Sequence, residues 1–143
     1  MTPAQIALVR KSYAQIVLNL EQVTALFYQR LLDLDPSIGA MFRGDPVIQR
    51  IKLGATLASL VGSLGQMKHL LPAMRALGLE QARKGVSAEH YAPVGEALIW
   101  AVEAALGDDF TAETRRAWIA AYDSVARTMT SAAEEDWCEA EAA

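Results

Sequence analysis

The sequence is poor in the residues that build covalent cross-links and metal centres. Its 143 residues include one cysteine, Cys138, and two histidines. A single thiol excludes an intramolecular disulfide framework and any zinc or iron–sulfur centre that needs several thiolates. No apolar run approaches the roughly 20 residues of a membrane span, and the N-terminus lacks the charged and apolar segments of a secretory signal. We therefore expect a cytoplasmic protein with no membrane partner.

Positive charge is also scarce. The formal net charge is −4, and residues 134–143 contain acids but no base, so residues 1–133 are close to neutral. Phosphate backbones require a basic stripe that is missing here, and we expect no nucleic-acid partner. The length fits one domain, which we predict over residues 1–133, followed by an acidic tail over residues 134–143.

The two-residue alternation of a half-buried strand is absent, and apolar residues recur instead with the period of an α-helix. Thr2, Pro3 and Gln5 are typical of a helix start, with a capping side chain and proline in the first turn. The pattern predicts an all-α protein with about six to seven helices and short connections. A third helix is expected to begin near Asp45 and to continue to about Leu64. Its predicted apolar face consists of Ile48, Ile51, Leu57, Leu60 and Leu64.

Four segments of the chain, residues 25–31, 35–42, 77–95 and 106–122, carry a recognisable family pattern. In their order and spacing they resemble bacterial single-domain globins and the haem domains of flavohaemoglobins. The resemblance implies the globin fold, haem as the cofactor, and a diatomic gas such as O₂ or NO as the ligand.

The same resemblance implies a role for individual residues in a haem pocket. Phe27 and Gln49 would face a bound gas, Lys52 and Leu53 would follow on the same wall, and Phe42 would stack on the porphyrin. The Gln49 amide can donate a hydrogen bond to bound O₂. Because Phe27 stands where many bacterial relatives carry tyrosine, Gln49 would be the main polar group beside the gas.

The proximal histidine of the family is missing. The pairs Gly85–Val86 and His90–Tyr91 both lie where the family pattern places them. By that pattern the histidine belongs four residues before Gly85, and this position is occupied by Gln81. Haem iron is usually held by imidazole, thiolate, thioether or phenolate, and an amide oxygen is a weak substitute. His90 and Met74 are the fallback axial candidates. The implied cofactor-binding set is completed by Gln81, Val86, Tyr91 and Val94.

Three functions stay open at this point. A haem-free globin would be a binding, sensor or interaction module that takes a small apolar ligand in its pocket. A haem protein with unusual iron ligation would bind O₂ or NO. An enzyme is disfavoured, because no nucleophile with its base, phosphate-binding loop or carboxylate pair is visible. The sequence leaves a homodimer open and assigns no role to Cys138.

Overall fold

The computed structural model describes residues 1–41 and 45–142, and the regular structure within these ranges is entirely helical. Short 3₁₀ turns join most of the α-helices to one another. The predicted all-α class and the predicted number of helices are confirmed. The α-helices are α1 (Pro3–Ile16), α2 (Leu20–Leu34), α3 (Pro46–Gly62), α4 (Met67–Arg83), α5 (Tyr91–Leu106) and α6 (Ala112–Ala142).

Side-chain caps define the starts of two helices. The Thr2 hydroxyl accepts a hydrogen bond from the Gln5 backbone N–H at 3.1 Å, and the Gln5 side chain accepts one from the Thr2 N–H at 3.0 Å. At the start of α3, the Asp45 carboxylate accepts a hydrogen bond from the Val47 N–H at 2.9 Å. These bonds satisfy N–H groups that have no partner within the helix. Both predicted starts are confirmed.

The core forms where α2 packs on α5 and where α6 packs on both α1 and α4. A buried hydrogen bond joins the first and last helices, because the Trp118 indole N–H donates to the Ser12 hydroxyl at 2.8 Å. The largest fully buried side chains belong to Ile16, Leu31, Ile38, Met74, Val9, Val23, Val102 and Thr24.

The crossing of α4 and α6 depends on a glycine. A methyl group at Gly78 would lie 2.5 Å from the carbonyl oxygen of Met129 and 2.6 Å from its Cα atom. Only a residue without a side chain allows the two backbones to approach this closely. Gly78 therefore sets the distance at which α4 lies from α6.

The predicted apolar face of α3 was wrong in its first half. Ile48 is 51% exposed and Ile51 is 65% exposed, whereas Leu57 and Val61 are buried. At about 100° per residue, Ile51 and Ile48 lie about 120° and 180° around the helix from Leu57. The buried face instead continues back to Gly54, against which Leu20 packs.

The acidic segment is not separate from the last helix. Residues 134–142 continue α6, which ends at Ala142. Within the described ranges, no helix has the length and apolarity needed to cross a membrane.

Candidate functional site

A cavity of about 380 Å³ lies between α3 on one side and α4, α5 and α6 on the other. Its walls are mostly apolar, with further contributions from α1 and α2. Phe42 falls outside the described residues, so its predicted contact with a porphyrin stays a prediction. The walls do include the other residues that the family resemblance assigned to the pocket, namely Phe27, Gln49, Lys52, Leu53, Gln81, Val86, Tyr91 and Val94.

A tyrosine that sequence reasoning passed over also lines this cavity. The Tyr28 hydroxyl donates to the backbone carbonyl of Gln49 at 3.4 Å, and its ring meets that of Phe27 edge to face at 5.1 Å. Burial raises the pKa of Tyr28, which keeps the group a phenol that can donate a hydrogen bond. The expectation that Gln49 is the main polar group on this side is therefore incomplete. The neighbouring aromatic pair Phe27–Tyr28 was the signal available in the sequence.

The end of α4 fixes where Gln81 lies. Gly85 has a φ of 97°, a left-handed conformation that favours glycine. It allows the Val86 N–H to donate to the Gln81 carbonyl at 3.0 Å and the Gly85 N–H to donate to the Ala82 carbonyl at 3.0 Å. This pair of bonds is the Schellman motif that ends many helices. Gln81 and Val86 consequently stand together on the same wall of the cavity.

Neither fallback axial candidate is well placed to bind iron. His90 lines the cavity, but its Nδ1 accepts a hydrogen bond from the Ser87 backbone N–H at 2.9 Å. A neutral ring then carries its proton on Nε2, so that nitrogen has no lone pair for a metal. Met74 is 1% exposed within the helix packing and is not part of the cavity wall.

The residues present therefore fit only part of a haem group. The apolar walls suit a flat aromatic macrocycle, as in other small-molecule sites. Gln81 on α4 lines the cavity, and an amide oxygen is a weak ligand for haem iron. Leu77 and Gln81, the described α4 residues of the wall, supply no imidazole, thiolate, thioether or phenolate for an iron bond.

Two tyrosines brace the cavity wall between α5 and α6. The Tyr122 hydroxyl donates to the Tyr91 backbone carbonyl at 2.5 Å. Burial, together with Tyr91 and Asp123, raises the pKa of Tyr122 well above its usual range. Gly95 provides the space for this ring, since a methyl group there would lie 2.6 Å from the Tyr122 Cε1 atom. Tyr122 is thereby held as a neutral donor against α5.

The family model for globins matches residues 25–129. A leghemoglobin from Psophocarpus tetragonolobus is 31% identical over 141 residues, which cover 92% of this chain and 97% of the leghemoglobin. A flavohemoprotein from Bordetella parapertussis is 30% identical over 129 residues, which cover 88% of this chain. The chain spans only 32% of the length of that flavohemoprotein and 27% of the length of one from Bacillus subtilis.

Solved structures share the fold of this chain. An engineered carbene transferase from Rhodothermus marinus superimposes with a TM-score of 0.88 at 28% identity, covering 99% of both chains. A bacterial globin from Campylobacter jejuni superimposes with a TM-score of 0.83 at 22% identity, covering 95% of this chain and 99% of that chain, and so shows a shared fold. The family model matches most of the chain and the leghemoglobin aligns over nearly its whole length, so this chain belongs to the globin family.

Proposed function

We propose that this globin binds a small apolar molecule in its central cavity without an iron–histidine bond, and that it is a binding or sensing module rather than an enzyme. The observation that carries the proposal is the combination of an open, mostly apolar cavity with Gln81 on the wall formed by α4. Its volume of about 380 Å³ is within the range of about 300–1,000 Å³ found for small-molecule sites.

Apolar burial alone is enough to drive such binding. A ligand that buries about 300 Å² of apolar surface gains roughly 7 kcal/mol, at about 25 cal/mol per Å². Part of this gain offsets the loss of translational and rotational freedom. At the lower end of that cost, about 4 kcal/mol, about 3 kcal/mol of the gain remains, which corresponds to a Kd of several millimolar.

A haem protein with unusual ligation is the alternative, and a specific observation favours it. The Gln49 amide and the Tyr28 hydroxyl belong to residues on the same side of the cavity. The Gln49 amide can donate a hydrogen bond to a bound diatomic gas, while the Tyr28 hydroxyl donates to the Gln49 carbonyl and so ties this residue to α2. Under this alternative, porphyrin contacts would hold the haem, and the protein would bind O₂ or NO.

A hemin titration distinguishes the two functions. The wild-type protein, a Gln81→His variant and a Gln22→His control are titrated with hemin while the Soret band is recorded. Gln22 is exposed on α2 and outside the cavity, so the control adds an imidazole without placing it near the α4 wall. We expect a sharp, stoichiometric globin band from Gln81→His only.

A second titration tests the apolar site directly. N-phenyl-1-naphthylamine, a neutral fluorescent dye, should bind wild type with one-to-one stoichiometry, and hemin should displace it from Gln81→His. A stoichiometric, shifted Soret band from wild type itself would overturn the proposal in favour of the haem alternative.

A further inference from the structure

The charged groups that line the cavity all have the same sign. Among the described residues of the wall, Lys52 and Lys84 are cationic, His90 is a basic imidazole, and no aspartate or glutamate is present. This is opposite to the chain as a whole, which has 17 acidic and 13 basic residues. A cavity that is apolar inside and carries only basic groups suits a ligand with a matching distribution of charge.

The two lysines lie on opposite walls and both reach solvent. Lys52 is exposed on α3, and in the part of the chain that the structure describes it makes no ion pair. Lys84 follows α4, and its side chain is 52% exposed. Because each residue lines the cavity while remaining in contact with water, their ammonium groups belong to the mouth rather than to the interior.

Lys84 already forms an ion pair with Glu80, and this pair contributes little to stability. Its Nζ atom lies 3.4 Å from the Glu80 carboxylate, whose side chain is 61% exposed. Exposed ion pairs of this kind contribute between about 0 and 1 kcal/mol. Glu80 is not part of the cavity wall, so a carboxylate arriving from the cavity can share or replace this contact.

We infer that the ligand is an amphipathic acid, whose apolar body fills the cavity and whose carboxylate lies at the mouth between Lys52 and Lys84. This inference rests on the proposed function and specifies its ligand class. A neutral head group gains no Coulomb attraction from the two ammonium groups, and a cationic head group would be repelled by them. His90, just before α5, also lines the cavity, and because its Nδ1 accepts from the Ser87 N–H, its Nε2–H is the ring donor available to a ligand.

Three probes that each contain a straight twelve-carbon chain test the inference. Dodecanoate and dodecyltrimethylammonium are used below their micelle concentrations, and dodecanol below its solubility limit, to displace N-phenyl-1-naphthylamine from the wild-type protein at low salt. Dodecanoate should bind about 3- to 10-fold more tightly than dodecanol, as two exposed ion pairs allow. Dodecyltrimethylammonium should bind more weakly than either. The preference for dodecanoate should shrink in 0.5 M salt, at roughly the ionic strength where surface charges are screened.

Variants assign the preference to the lysines. The double variant Lys52→Gln/Lys84→Gln should bind dodecanoate and dodecanol within about 2-fold of each other, because the ion pairs are gone. Lys11→Gln removes an exposed lysine of α1 that is outside the cavity, and it should keep the wild-type preference. Far-ultraviolet circular dichroism verifies that both variants are folded.

The outcomes separate this inference from the proposed function. Equal binding of dodecanoate and dodecanol by wild type, or an unchanged preference in the double variant, would overturn the amphipathic acid while leaving an apolar site intact. If neither the dye nor any of the three probes binds to wild type, and hemin binds stoichiometrically, then the proposed function itself is wrong.

Discussion

Replacing Gly78 with alanine should force α4 away from α6. The added methyl group would lie 2.5, 2.6 and 2.9 Å from three backbone atoms of Met129. Backbone atoms cannot be relieved by a rotamer change, so one helix must move. Since α4 also carries Gln81, this movement would alter the cavity wall as well as the core.

The change in the free energy of unfolding follows from two opposing effects. Overpacking of a well-packed core costs about 1–3 kcal/mol or more, whereas replacing glycine with alanine inside a helix contributes about 1 kcal/mol in favour of folding. We expect the crowding to be the larger effect, so that Gly78→Ala is less stable than wild type by about 1–2 kcal/mol. For a chain of this length, the corresponding fall in Tm is about 3 °C per kcal/mol.

Urea unfolding followed by circular dichroism at 222 nm measures this difference. Gly62→Ala is the matched control, because Gly62 is also helical and no heavy atom lies within 4 Å of its added methyl group. The control should gain up to about 1 kcal/mol. If Gly78→Ala is as stable as wild type while Gly62→Ala behaves as expected, the close helix crossing is not as described.

Two further predictions concern buried polar groups. Ser12→Ala leaves the Trp118 indole N–H buried without its acceptor and should cost about 1–3 kcal/mol in urea unfolding. The control Ser124→Ala removes a half-buried hydroxyl that donates only to the Ala120 carbonyl of its own helix, and it should stay within about 0.5 kcal/mol of wild type. Equal effects of the two substitutions would refute the argument. Because the folded-state pKa of Tyr122 is raised above its unfolded value near 10, the folded chain keeps a proton that the unfolded chain loses, and stability falls as pH rises. Between pH 9 and 11 wild type should therefore lose more stability than Tyr122→Phe, and parallel curves would contradict the raised pKa.

Local signals were sufficient to predict the starts of α1 and α3. Thr2 and Gln5 form the capping box that their spacing indicated. Gly85 and Gly107 both have positive φ angles at the ends of helices, as expected for glycine after a helix C-terminus. These features depend on a few neighbouring residues, so one sequence contains the information needed.

Features that depend on tertiary packing were harder to predict. Ile48 and Ile51 look like core residues by composition, and only the packing of Gly54 against Leu20 shows which face of α3 is buried. Tyr28 is adjacent to Phe27, and sequence reasoning chose one aromatic although both reach the cavity. Whether a cavity stays open depends on the spacing of α3 from the helices opposite it, which no local pattern encodes.

The candidate site was predicted residue by residue from family resemblance rather than from chemistry. The assignment of Gln81 to the proximal position rests on that resemblance and stays a prediction, whereas the Schellman motif at Gly85 explains where α4 ends. The basic lining formed by Lys52 and Lys84 was not predicted, since the two residues are distant in sequence and meet only through the fold.

The most direct test of the account is the composition of the protein as it is isolated from haem-sufficient cells. Native mass spectrometry and the Soret absorbance are measured for wild type and for Gln81→His purified in parallel. The account predicts that wild type carries no haem and is either empty or bound to a smaller organic acid, while Gln81→His acquires haem. Stoichiometric haem on the wild-type chain would contradict it.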